Sequence, residues 1–419
     1  MRPTLLLACL AFATALPAFG QGDAQPLPPA AIESAASSGA DAAAPAPAPR
    51  RTSKAPPAAA RSTHGHRRAA SHVRDDAEPD SYVYGHRPDV LAYAAQVADE
   101  RGLDLEWVQA QLASARYQPS VARLVMPPAH GNAKNWAAYR ARFVDARHLR
   151  TGGAWWQAHE QALDDAQARY GVPASVIAAI VGVETSWGQI TGRYRVLDAL
   201  ATLAFDFPSG RSDRSAFYRA ELRAYLTWCA LEGRDADSVH GSYAGAIGWP
   251  QFMPSSILRY AVDFDHDGRV DLADGGPDVI GSIANFLALQ GWQPGRPARY
   301  GVVPPADPVE RAQLLAPDIR PTFSAAQMQA AGAGLPDVAR DEPGPLALVK
   351  LDNGAAAPTY VAGAGNFYVV TRYNWSSYYA MAVLDLAEAL QREHAAAGGA
   401  ELQAAALAPA GSPRPTSAP

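Results

Sequence analysis

The chain has 419 residues, 48% of them hydrophobic, with a formal net charge of -5 and a pI of about 6.1. This length allows two or three domains, and the apolar content is enough for a sizeable core. The charge balance gives no basis for nucleic-acid binding, and two cysteines are too few for a disulfide-built fold.

In chain order, the N-terminus reads as an export signal. Arg2 supplies a short positive region, and residues 5–16 form an apolar run too short to span a bilayer as a mature helix. Pro17 ends the run, and Ala18-Phe19-Gly20 resembles a small-residue cleavage site, so a mature chain would begin near Gln21. A retained anchor is the alternative. Lipidation at Cys9 would need a longer apolar segment than the eight residues before it. The second cysteine, Cys229, lies in an apolar stretch and reads as a small buried hydrophobe rather than a nucleophile. The expected location is therefore outside the cytoplasm, in the periplasm, with association to the outer or inner membrane left open.

Residues 21–80 are rich in Ala, Pro and Ser and cannot bury enough apolar surface to offset the entropy of ordering. A disordered linker is expected there, basic in its second half (Arg50, Arg51, Lys54, Arg61, Arg67, Arg68, Arg74). A similar tail is expected over 395–419. The folded region is then 82–394. Helical spacing covers 89–100, 105–112, 155–170, 174–182, 214–231, 255–262, 278–290 and 376–393. The run at 174–184 is apolar nearly all round, so its helix should be central and buried. Strand-like runs at 346–351 and 360–371 are bounded by Gly, Pro or Asn.

Glu184 closes that buried helix, beside Trp187. A carboxyl there would be partly desolvated, its pKa raised and its proton available to a leaving oxygen. Trp187 offers a flat wall of the kind that shields an acid and stacks on sugars. A glutamate that merely caps or ion-pairs at a helix end is the commoner case on residue chemistry alone. A second segment, 242–256, is small, polar and aromatic. Ser242 and Gln251 there can bond hydroxyl or acetamido groups, and its glycines allow backbone to approach a ligand closely. Asp263, Asp265, Asp267 and Gly268 fit the D-x-D-x-D-G start of an EF-hand loop, with the Arg269 carbonyl as a further ligand. The usual closing Glu is absent, and Asp274 stands in its place.

The motifs GVETSWG, SYAGAIGWPQFMPSS, RYNWSSYYAMAV and NWAAYRARF occur in order and closely resemble the lytic murein transglycosylase B family over residues 82–394. The resemblance implies a mainly α (α+β) fold. A lysozyme-like catalytic core would carry a helical flanking subdomain and a small β-containing subdomain around a deep groove. It implies Glu184 as the catalytic acid/base, and Ser242, Gln251, Tyr139, Tyr373, Asn374 and Tyr379 as saccharide contacts. Phe286 stands where the family often has tyrosine. It also implies that the metal loop, 263–278, closes on Asp278 and holds a structural Ca2+. The implied reaction cuts the MurNAc–GlcNAc bond of peptidoglycan and leaves 1,6-anhydro ends, with no cofactor in the chemistry. The implied partners are glycan strands and cell-wall synthesis or remodelling proteins, and the chain is expected to act as a monomer. A hydrolytic muramidase and an inactive peptidoglycan-binding scaffold stay open as alternatives. Two-carboxylate hydrolysis would require a partner such as Asp198 or Asp206, each of which reads as structural.

Overall fold

A computed structural model describes residues 82–126 and 134–407. The expected signal at 1–20 and the basic linker at 21–80 lie outside the described residues. The fold is mainly helical with small antiparallel sheets, as expected.

The N-terminal helices α1 (Pro88–Arg101), α2 (Leu105–Ala113) and α3 (Pro119–Leu124) flank the core. Gly102, left-handed, stops α1, and the Asp104 carboxylate caps α2. The short α4 (Trp136–Arg140) follows, capped by Asn135. Helices α5 (Ala146–Ala158) and α6 (Glu160–Tyr170) then lead into α7 (Ala174–Thr185). The β1 strand (Tyr194–Arg195), α8 (Val196–Phe205), α9 (Ser215–Leu231), β2 (His240–Gly241), α10 (Pro254–Tyr260) and α11 (Pro277–Leu289) complete the first half of the core. A smaller unit contains β3 (Arg299–Gly301), α12 (Pro308–Leu315), α13 (Ala325–Ala330), α14 (Asp337–Arg340), β4 (Ala347–Asn353) and β5 (Ala356–Gly363). Its sheet is antiparallel in the order β3-β5-β4. Leu314, Met328, Leu335, Leu346 and Leu348 give it a core of its own. The chain returns through α15 (Gly365–Tyr373) and α16 (Ser377–Leu407).

The main core is organised around α7, buried from Ala174 through Val183. It packs against α5, α6, α11 and α16, which explains why no polar stripe appears in its sequence.

Three expectations differ from the structure. The single helix expected over 155–170 is two, broken at His159. The His159 Nδ1 bonds the Trp155 carbonyl at 2.8 Å, and its ring stacks on Trp155, so the side chain competes for a helix acceptor. The strand expected over 360–371 ends at Gly363, and α15 begins at Gly365. Asn366 fixes that turn by bonding Gln293 through both its N–H and its carbonyl, and also the Arg296 carbonyl. A β-branched and aromatic composition had favoured a strand there. Finally, α16 runs to Leu407, past the tail boundary expected at 395, in keeping with the helix preference of its alanines. The helix α8 was not anticipated; like α7 it is buried nearly all round and lacks a polar face.

Among the described residues no helix is long and apolar enough to cross a membrane. Within α5, two adjacent glycines behave oppositely. A β-carbon on Gly152 would meet Leu390 at 2.7 Å and Trp187 Cη2 at 2.8 Å, whereas one on Gly153 would meet nothing within 4 Å. Gly152→Ala should therefore destabilise the protein by about 1–3 kcal/mol through overpacking. Gly153→Ala should stabilise it by about 0.5–1 kcal/mol through helix propensity. Denaturant unfolding of the two variants checks both signs.

Candidate active site

The site is built where α7 stops. Three consecutive residues, Ser186, Trp187 and Gly188, take positive φ values of 50°, 53° and 79°. Ser186 closes the helix by donating its N–H to the Gly182 carbonyl. The turn folds Trp187 back under its own helix. Its Nε1–H donates to the Ala178 carbonyl at 3.1 Å, and its ring fills the gap between Gly152 and Gly182. Trp187 is only 5% exposed. It is a core wedge that holds the turn after Glu184, and the stacking wall expected for a sugar is not what this ring provides.

Glu184, the penultimate residue of α7, is half-buried. The Tyr379 hydroxyl, in the first turn of α16, donates to Glu184 Oε1 at 2.7 Å. Burial pushes the Glu184 carboxyl up to about 7, against the Tyr379 hydrogen bond, which favours the charged form. With Oε1 taken by the tyrosine, the proton belongs on Oε2.

Aromatic residues surround this carboxyl. Burial and the charge of Glu184 push the Tyr139 phenol up to about 12, and Tyr373 and Tyr379 well above their ordinary value. Tyr373 stacks on Tyr379 at 6.3 Å, and its hydroxyl donates to the Pro250 carbonyl at 2.6 Å. Phe286 lies behind Tyr373, ring centroids 4.8 Å apart, and is buried against Phe252 and Tyr260. It supports Tyr373 from the core rather than offering a surface of its own.

The polar residues present what their own loops leave over. Ser242 Oγ accepts the N–H groups of Ala244 and Ala246 at 3.3 and 3.0 Å. Its lone pairs are thus engaged, and the hydroxyl has its proton to give. Gln251, at positive φ, donates Nε2 to the Thr191 and Gly248 carbonyls, so its Oε1 is the group left to accept. Asn374 is buried, and its Oδ1 has no partner among the described residues. An acceptor left so costs about 1–3 kcal/mol unless a ligand completes it. Sequence reasoning missed Thr185, whose hydroxyl bonds the Val181 carbonyl and receives the Gly188 N–H. A threonine in a helix's last turn before a glycine is the signal that could have found it.

The other acids are committed elsewhere. Asp206 accepts from Tyr82, Tyr84 and Arg87, and Asp198 from the Arg116 N–H and Gln118. Glu221, a buried glutamate that the motifs did not flag, spends both oxygens on Ser255 at the start of α10. Arg211 reaches the Val125 carbonyl, and Arg214 lies over the Phe217 ring.

At the acidic loop, oxygens of Asp263, Asp265 and Asp278 lie within 4.8 Å of one another. That spacing suits a hard cation with oxygen ligands. The carboxylate of Asp278 also accepts the N–H groups of Phe264 and Asp271, which fixes its aim. Asp267 is not in the converging group; its carboxylate receives the Arg269 N–H at 2.8 Å. Asp274 turns to the Gly276 N–H at the start of α11.

The transglycosylase SLT domain model matches residues 86–388. The membrane-bound lytic murein transglycosylase B of Escherichia coli (strain K12) is 36% identical over 316 residues, 73% of this chain and 84% of that protein. The lytic transglycosylase Slt35 of Escherichia coli, solved in complex with calcium, superposes with a TM-score of 0.66 at 34% identity, covering 76% of this chain and 97% of Slt35. SltB3 of Pseudomonas aeruginosa, solved with NAG-anhNAM-pentapeptide, gives a TM-score of 0.61 at 30% identity over 72% of this chain and 78% of SltB3. Matched along most of its length in both sequence and fold, the chain belongs to the transglycosylase SLT domain family, among relatives that are lytic murein transglycosylases.

Proposed function

We propose that this protein is a peptidoglycan lytic transglycosylase that cleaves the MurNAc-β-1,4-GlcNAc bond and leaves 1,6-anhydro-MurNAc ends. The observation that carries the reading is a single carboxyl held near neutrality by burial, with one oxygen fixed by Tyr379. In the first step the Oε2 proton of Glu184 passes to the glycosidic oxygen. The C1–O bond of MurNAc breaks, GlcNAc leaves with its 4-hydroxyl, and the muramoyl acetamido oxygen stabilises the charge at C1. In the second step the Glu184 carboxylate takes the proton of the C6 hydroxyl, and O6 bonds to C1. No water is consumed, and Glu184 ends protonated as it began. An inverting hydrolase would instead need a base about 6.5–9.5 Å away. The engagement of Asp198, Asp206 and Glu221 in structural bonds supports the one-carboxylate route. The anhydro ligand bound to SltB3 supports the same product class.

Around the acid, the Ser242 proton and the acceptors of Gln251 and Asn374 would hold hydroxyl and acetamido groups of the strand, with the half-buried Tyr139 and Tyr373 walling the groove and the fully buried Tyr379 fixing the acid from behind rather than contacting the sugar. Asp263, Asp265 and Asp278, with the Arg269 carbonyl, would hold Ca2+ in a structural role; the calcium complex of Slt35 supports this. The proposed substrate and the signal-like sequence at 1–20 support an exported, periplasmic enzyme.

Glu184→Gln should reduce turnover of purified peptidoglycan by about 10²- to 10⁴-fold. At each cut the wild type should leave a new MurNAc end that lacks the water hydrolysis would add, as read by mass spectrometry. Reducing-end products would contradict the mechanism.

The acid form of Glu184 is the active one, so kcat/KM should decline as pH rises through about 7. Tyr379→Phe removes the hydrogen bond that favours the carboxylate, so its alkaline limb should move to higher pH while peak activity falls.

A chelator should lower the Tm, and added calcium should restore it. Binding at about 100 times Kd is worth about 2.7 kcal/mol. An unchanged Tm in calorimetry would count against an occupied loop.

A further inference from the structure

We propose that Trp249 is a positioning residue through which the cation-loaded acidic loop sets the saccharide-binding loop and the turn that carries Glu184. This rests on the calcium reading above and extends it from stability to the active site. The Asp278 carboxylate, one of the three that converge, accepts the Asp271 N–H at 2.7 Å. The next residue, Leu272, accepts the Trp249 N–H through its carbonyl at 2.8 Å. The indole of Trp249 then lies between two glycines on separate elements. A β-carbon at Gly275, in the acidic loop, would collide with one part of the ring, and a β-carbon at Gly188, in the catalytic turn, with another. Both glycines have positive φ, 78° and 79°, so neither place is open to a larger residue.

The same tryptophan is tied to the groove on either side. Gly248 packs its backbone on Leu272, and Gln251 returns to the Gly248 carbonyl. Tyr373 bonds the Pro250 carbonyl. The Thr185 hydroxyl, next to Glu184, receives the Gly188 N–H at 3.1 Å and lies 3.5 Å from the Trp249 carbonyl. Leu272 and Gly275 are the buried residues of the segment 271–275, and both contact Trp249, so a displacement of either on loss of the cation would press on that residue. From there it reaches the Glu184 turn and the Gln251 loop together, because closely packed interiors transmit strain.

Coupling of this kind is reciprocal, so the saccharide must tighten calcium by the factor by which calcium tightens the saccharide. Calcium is titrated calorimetrically into the full-length protein with and without saturating GlcNAc tetrasaccharide. In the wild type the calcium Kd should tighten about 5-fold or more with the sugar bound. In Trp249→Phe the ratio should fall to about one while each ligand still binds. A merely structural role would lower the Tm of the variant and leave the ratio intact, which would overturn the proposal. Calcium binding with a ratio of one in the wild type would overturn it too, leaving the calcium site standing; no calcium binding would remove both. A second measurement does not depend on the variant folding. Calcium should slow deuterium uptake in wild-type peptides spanning 184–190 and 247–252, and unchanged uptake in either peptide would refute the link.

Discussion

A carboxyl group at the end of a helix that the protein buries on every side must be either neutralised or wetted. Here α7 is surrounded by four other helices, so Glu184 emerges from the core with apolar packing behind it. No cation is seen pairing with it among the described residues, and its one hydrogen bond comes from a neutral hydroxyl. The cost of charging it in that setting is what keeps a proton on it near neutral pH. Most of the surrounding architecture serves to hold that unfavourable position. Trp187 threads between Gly152 and Gly182 to lock the helix end, the left-handed turn prevents the helix from running on, and Tyr379 fixes one carboxyl oxygen.

The polar groups near Glu184 follow a related pattern. Ser242 and Gln251 each use part of their hydrogen-bonding capacity on nearby backbone, which leaves the Ser242 proton and the Gln251 carbonyl oxygen. The Asn374 carbonyl oxygen has no partner among the described residues. Under the proposed function, a sugar bearing hydroxyl and acetamido groups would complement that set, with Tyr139 and Tyr373 offering apolar faces. The polar capacity of the site is therefore a remainder of local folding.

How much was legible in advance depended on whether a residue's role is local. The burial of α7 was readable because its composition lacks any polar stripe, which marked Glu184 as partly desolvated, but its role as the acid came from motif resemblance. Tyr379 and Tyr373 came from motif resemblance alone. Their distance to Glu184 depends on how α15 and α16 return across the core, which no local pattern encodes. The role of Trp187 was misjudged because exposure of an aromatic is a tertiary property. Two glycines far apart in the chain, Gly152 and Gly182, make the slot that buries it. The break at His159 and the switch from β5 to α15 were missed because single side-chain hydrogen bonds override a favourable periodic pattern. At the acidic loop the alternate aspartates were plain. Asp278 as the closing ligand in place of Asp274 came from motif resemblance, whereas the separation of Asp267 from the converging group became evident only in the structure.

The unfavourable charge on Glu184 can be measured without any turnover. Glutamate carboxyl carbons in isotope-labelled protein can be titrated by NMR, with the resonance of Glu184 assigned by its absence in Glu184→Gln. A protonation midpoint at about 7 is the outcome expected of a carboxyl held out of water beside Tyr379. A midpoint at the ordinary carboxylate value of about 4.3 would mean that water reaches the group freely, and the acid described here would have no proton to give.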